Sequence, residues 1–264
     1  MHAASPVWQV DGNSNTVLQG VSGLPALVAG MPVDFDATVQ ADGSLLATRI
    51  AVEDANTTNL TINSGPLVEV FSPTVFPSAH VLSAMVSEQE GYFANTPQGF
   101  INNINGYSFD KAVFQIFSQL SNLQNLPFTA SFSGTSMVGG QNISITTHAT
   151  TVLNAPILTT AATITLMPQT IDGTVNGVST SGGFTTYTVA LAPYDAFPQF
   201  AVQSTQTTLL NNPGTVEVYT DSSTSMLNAS APVVGSMMRF TGLVFNDNGT
   251  LRMDCSQVND GVPE

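Results

Sequence analysis

Cations are what this sequence most lacks. Only Arg49, Lys111, Arg239 and Arg252 are basic, against 18 acidic residues, for a formal charge of −14 and a pI near 4.1. Charged residues make up only 8% of the chain, so the acidity comes from missing Lys and Arg and not from an excess of carboxylates. Nucleic acid and anionic membrane surfaces are excluded as expected partners, because binding to either draws on basic patches. A single cysteine, Cys255, excludes an intramolecular disulfide framework. No apolar run reaches the 18 residues needed to span a membrane as a helix. His2, His80 and His148 are far apart and in no ligand spacing, so no transition-metal site is expected. The first ten residues, MHAASPVWQV, carry no basic or apolar leader region and do not read as a signal peptide.

In place of charge the chain uses Ser, Thr, Asn and Gln, which suit turns and β surfaces, and one stretch recurs. In GMPVDFDATVQADGSLLATRIAVED, from Gly30 to Asp54, Val33, Phe35, Ala37 and Val39 alternate with polar residues. Asp42-Gly43 supplies a hairpin turn, and the return strand Leu45 to Val52 skips a step, which predicts a bulge near Thr48-Arg49. A later copy runs from Gly235 to Asp260, with Phe240, Val244, Gly249, Leu251 and Val258 set against Phe35, Val39, Gly43, Leu45 and Val52. Cys255 falls on its return strand, where a buried structural thiol is expected. A fainter middle copy places Gly140, Ile143 and Ile145 opposite Gly30, Val33 and Phe35, with AATITLMP following ATRIAVED. Three related hairpins about a hundred residues apart imply three related small β-units.

The expected organisation is therefore residues 1–56 as the C-terminal part of a first unit, 57–168 as a second, and 169–264 as a third. Only 29 residues precede Gly30, whereas a further hairpin and strand precede the third copy, so an upstream part of the first unit and any export signal are expected outside this sequence. The run TVEVYTDSSTSMLNASAPVVG before the third hairpin is similar to residues 7–28. Residues 72–127 read as an insertion broken by Pro and Gly. Within it Phe109, Val113, Ile116, Phe117, Leu120 and Leu123 predict a helix capped by Ser108 and stopped by Pro127.

Val28-x-Gly30-x-x-Val33, Asp42-Gly43-Ser44-Leu45 and Ala47-Thr48-x-Ile50-x-Val52 resemble the repeated small β-barrel domains of unknown function in envelope proteins and lipoproteins of bacteria such as acidobacteria. The resemblance implies an export route and a small-barrel fold, and it brings no site residues. The fold class expected is mainly β: tandem small OB-like or Greek-key barrels, with a helix-containing insertion in the central unit. The expected role is a non-catalytic, exported or envelope-attached interaction or scaffold module with a protein partner. The rival is a polysaccharide-binding or polysaccharide-acting protein.

Candidate chemistry is sparse. Calcium is the one cofactor with a candidate loop, where Asp11, Asn13 and Asn15 offer oxygens at alternate positions; Thr16 and Ser22 then stand where Gly and a bidentate Glu are expected, and the run also reads as an Asx turn. Trp8, Tyr92, Phe93 and Tyr107, interleaved with asparagines, are the candidate glycan-binding face, or alternatively loop anchors. Glu88 and Glu90 are two apart in one segment, unlike a glycosidase pair, and GTSMV at Gly134 is not a nucleophile elbow. No catalytic residue is expected.

Overall fold

The computed structural model describes residues 9–19, 21–31, 33–40, 42–52, 60–72, 74–91, 103–117, 123–148, 159–200, 214–227 and 230–260. They form two compact units, Met1–Asp54 and Ala55–Glu264. Strands dominate, as expected.

In the first unit a long strand β4 (Leu45–Val52) is the centre. β3 (Val33–Val39) pairs with it antiparallel, and β1 (Val10–Asp11) and β2 (Val17–Gln19) pair with it in parallel. Leu18, Ala47 and Ile50 form a small core against Val10, Val21, Leu24 and Leu27.

The second unit holds two barrels of one topology. The first of these contains β5 (Leu60–Val70), β6 (Val81–Val86), β7 (Glu88–Gly91), β8 (Asn103–Ser108), β9 (Val113–Ile116), β10 (Asn142–His148) and β11 (Thr159–Leu166). The second contains β12 (Gln169–Ser181), β13 (Phe184–Leu191), a short helix α1 (Ala196–Phe200), β14 (Thr215–Thr220), β15 (Ser225–Leu227), β16 (Met237–Asp247) and β17 (Thr250–Asp260). Pairing runs β12-β13-β14-β17-β16 and back to β12, with β14 parallel to β17, so five strands close on themselves. β5-β6-β8-β11-β10 closes identically, with β8 parallel to β11. A five-stranded Greek-key ring in the order 1-2-3-5-4, with strands 3 and 5 parallel, is the OB fold, and closure leaves the ring without a free edge. Ile171, Val175, Val189, Phe240, Met253 and Val258 fill one barrel; Leu67, Leu82, Ile143, Ile145, Ile164 and Leu166 fill the other. In both, the first strand passes a carbonyl so closely that only glycine fits: a Cβ on Gly65 would strike the Met85 oxygen, and one on Gly173 the Ala190 oxygen.

The hairpin repeat is real in three dimensions. Gly30, Gly140 and Gly235 enter their hairpins at φ of 92°, 100° and 91°, a left-handed conformation that disfavours any side chain. All three return strands bulge at the same place, leaving Thr48, Ala162 and Ser256 as the extra residue. The Thr48 and Ser256 hydroxyls donate to the equivalent carbonyls of Asp36 and Thr241, at 3.2 and 3.1 Å. Upstream, Thr16 donates to the Ala47 carbonyl and Thr224 to that of Cys255, each at 2.8 Å.

Three readings of the sequence are corrected. The helix expected after Ser108 is a turn, Phe109 to Ala112, closed by the Ala112 N–H to the Phe109 carbonyl at 3.1 Å, followed by strand β9 and, later, a single 3-10 turn at Leu123–Asn125. A strand–turn–strand puts Phe109 and Val113 four residues apart and so imitates helical spacing. β9 pairs with β11 as β2 does with β4 and β15 with β17, so this is the middle copy of the strand–turn–strand element. For the same reason residues 72–127 are not an addition to a barrel: β6, β8 and β9 are three of its own strands. Finally, the bulges place Leu45, Ala47 and Ile50 opposite Met253, Cys255 and Val258, two residues from the alignment drawn through the turns. The third hairpin is longer at its tip, where Asn248-Gly249 turns the chain.

The two barrels share buried polar links. Gln141, fully buried, accepts the Val138 N–H at 2.8 Å and donates to the Val244 carbonyl at 2.9 Å; Gln169 accepts the Asn142 N–H at 2.9 Å. Beyond its bulge β16 turns Leu243 and Phe245 outward into the core of the preceding barrel.

Candidate interaction site

The turn after strand 1 and the turn between strands 4 and 5 flank the face on which OB barrels commonly take oligonucleotides and oligosaccharides. In the last barrel this crown contains Phe184, just past the first turn, Tyr219 on β14 and Arg252, three residues past the Asn248-Gly249 tip. Phe128 of the preceding barrel sits there, its ring 4.9 Å from Tyr219 and 5.8 Å from Phe245, with the Arg252 guanidinium 5.8 Å above it. Arg252 donates to the Tyr219 hydroxyl at 2.8 Å and lies 3.4 Å from Glu217 and 3.2 Å from Asp247. Tyr219 in turn donates to Glu217 at 2.8 Å, and burial, followed by that bond, pushes its hydroxyl up to about 12. The crown is thus closed by an aromatic plug and its cation is neutralised from within.

A second polar cluster anchors α1. Asp195, buried at the start of the helix, accepts the N–H groups of Asp172 and Ala192 at 3.2 Å. Burial pushes its carboxyl up to about 7, against the bonds from Asp172 and Ala192 that favour the ionised form. Arg239 is committed to Asp172 at 3.0 Å. Asp254 is raised to about 6, by burial and then by Asp221, and burial drives the Cys255 thiol far up, which leaves it inert as a nucleophile. These groups hold the fold. Their only sequence signal was the scarcity of cations, which makes each one's partner informative.

Asp11 is exposed at the end of β1. Asn13 accepts the Asn15 N–H at 2.8 Å, and its own N–H donates to Thr16 at 2.9 Å. Asp221, Ser223 and Thr224 repeat these two bonds at 2.7 and 3.0 Å. Asn13 to Thr16 is therefore the first copy of a repeated Asx turn, with Asp11 before it on β1. Among the described residues no three His, Cys, Asp or Glu gather as a metal-binding group. Tyr107 is a correction: it is buried in the middle barrel, where alternation along β8 turns it inward, and it offers no face to a ligand. Trp8, Tyr92 and Phe93 lie outside the described residues. Glu88 and Glu90 share β7, opposite Ser64 and Ile62. His80 meets Asp110 at 2.7 Å; the His80 backbone N–H and then its ring hold the Asp110 carboxyl below its ordinary value.

The apolar face that alternation gives the first hairpin is exposed, which the sequence reading did not foresee. Val33, Phe35 and Val39 are 39, 40 and 52% exposed, whereas their counterparts Met238, Phe240 and Val244 are 6, 0 and 0% exposed. Among the described residues β3 pairs only with β4.

These features define an OB-barrel protein. No family model and no curated protein matches the chain. Among solved structures it is similar to a deletion mutant of the single-stranded DNA binding protein from Thermus aquaticus, at 10% identity over 78% of this chain and 96% of that one, with a TM-score of 0.25. The fold rests on strand order and closure. No helix among the described residues is long and apolar enough to cross a membrane.

Proposed function

We propose that this chain is a non-catalytic scaffold or interaction module of the exported, envelope-attached kind, built from repeated OB barrels. The observation that carries the reading is the plugged crown: Phe128 occupies the face where a lone OB barrel would take a ligand, and Glu217 and Asp247 neutralise the Arg252 beside it. Arg49 and Arg239 are paired as well, with Asp36 at 2.9 Å and Asp172 at 3.0 Å. A strand of phosphates would therefore meet an acidic surface whose arginines are already engaged. Scarce Lys and Arg and a single cysteine support an exported bacterial protein. Of the four aromatics behind the polysaccharide reading, Tyr107 is in the core and the other three lie outside the described residues.

Thermal unfolding of the full chain with calcium, EDTA, single-stranded oligonucleotides at low salt, and bacterial and plant polysaccharides tests this. A ligand at a hundred times its dissociation constant adds about 2.7 kcal/mol. No shift is expected; a shift with a glycan or oligonucleotide overturns the reading. Fractionation of the source cells should find the protein outside the cytoplasm.

A further inference from the structure

We propose that Asn248-Gly249, the tip of the β16–β17 hairpin, is a site of spontaneous covalent modification, where Asn248 loses its side-chain amide and becomes aspartate or isoaspartate on the crown of the last barrel.

Asn-Gly occurs at Asn105, Asn176 and Asn248, and the fold separates what the dipeptide alone makes equal. Asn105 and Gly106 lie inside β8, opposite Ala84 and Ser83, and the Asn105 side chain is hydrogen-bonded to the buried Tyr107. Asn176 is the bulged residue of β12, and Gly177 stands opposite Thr188. At both, bringing the glycine nitrogen onto the asparagine side chain means opening a strand of a closed ring. Asn248 and Gly249 are instead exposed and make up the whole of a two-residue turn between the paired Asp247 and Thr250. That turn demands positive φ at both places, 53° and 90°, and Asn-Gly meets the demand. Among the described residues Asn248 is the one non-glycine with a positive φ. Two exposed side-chain bonds restrain the tip: the Gly249 N–H donates to Asn246 at 2.9 Å, and the Asn248 amide donates to Asp247 at 3.0 Å. Water replaces bonds of this kind at little cost.

Once released, the Gly249 nitrogen gives up its proton and attacks the side-chain carbonyl carbon of Asn248. The new N–C bond closes a five-membered succinimide as the bond to the side-chain nitrogen breaks, and ammonia leaves. Water then opens the ring, at one carbonyl to aspartate and at the other to isoaspartate, whose main chain is one carbon longer; water is the one co-reactant. The tip of the first hairpin shows the contrast. There the Gly43 N–H is held by the main-chain carbonyl of Gln40 at 2.8 Å, and Asp42 accepts the Ser44 hydroxyl and N–H at 2.7 and 2.9 Å. Those two bonds hold the Asp42 carboxyl below its ordinary value, in the ionised form that resists attack. Either product at residue 248 adds a carboxylate beside Asp247, which lies 3.2 Å from Arg252, and so makes the crown more acidic.

The full chain is held at mildly alkaline pH, folded or in urea, and peptide mapping by mass spectrometry follows the exchange of amide for acid at each Asn-Gly. In the folded chain Asn248 should react at least about tenfold faster than Asn105 and Asn176, whereas in urea the three should react at similar rates. Asn246→Ala, checked for an unchanged unfolding midpoint, should quicken the reaction at Asn248 by up to about fivefold, the factor that one such hydrogen bond is worth. A folded chain in which Asn248 keeps its amide while the urea-unfolded chain loses it overturns the proposal. So does a folded chain in which Asn105 or Asn176 reacts as fast as Asn248.

Discussion

Phe35 and Phe240 hold the same place in two copies of one hairpin, yet one is open to solvent and the other is sealed in a barrel. The entry glycine, the bulge, the hydroxyl that bridges the bulge and the threonine that ties the upstream turn are alike in both. Local chemistry therefore specifies the hairpin without reference to what covers it. Burial is supplied by the first two strands of a ring, which the last barrel has and the described part of the first unit does not. The outer faces differ too: Thr38 and Gln40 bond to each other at 3.3 Å where Leu243 and Phe245 enter the neighbouring barrel.

The contrast is broken most severely by truncating the two rings. Phe240→Ala should destabilise the Ala55–Glu264 unit by about 3–5 kcal/mol in urea unfolding, and Phe35→Ala should cost the first unit less than about 1 kcal/mol. Equal losses would mean that the first-unit face is already covered.

Acid should separate the units next. The folded pKa of Asp195, about 7, lies above its ordinary 3.8, so the folded state holds a proton that the unfolded chain has released. Its contribution is fully present below about pH 4 and is lost as pH rises through 7, by up to about 4 kcal/mol. Asp254, raised to about 6, acts in the same direction. Asp195→Asn should flatten the pH dependence of unfolding in the second unit between pH 4 and 7 and leave the first unchanged.

Gln141 follows Gly140 as Met31 follows Gly30, so Gln141→Met makes the middle barrel copy the first unit at that point. It leaves the Val138 N–H and the Val244 carbonyl unpaired and should cost about 2–3 kcal/mol by the same unfolding measurement. Smallest is the shared tie: Thr16→Val and Thr224→Val should each cost about 1 kcal/mol, and a large difference between them would mean that the two turns are not equivalent.

Much of this was legible because the repeat is written in residues with local jobs. Gly30, Gly140 and Gly235 need an unusual φ, and the bulge shows as a skipped step in the apolar pattern. The β9 region was not legible, because its turn has Ala112 where the others have a threonine hydroxyl, and its apolar spacing suits a helix as well as a strand after a turn. The pairing of Arg252 with Glu217 and Asp247, the Phe128 plug and the buried Asp195 depend on segments far apart in the chain meeting in space. Composition announced only that few cations were there to be matched.

The glutamines that join the two barrels also bear on mechanics. If each barrel were an independent bead, a pulled chain would lengthen in two equal steps. With Gln141 and Gln169 clamped across the junction and Leu243 and Phe245 seated in the neighbouring core, the load entering at β5 and leaving at β17 is carried by one body. The second unit is thus expected to hold its length under tension and then yield in a single rupture.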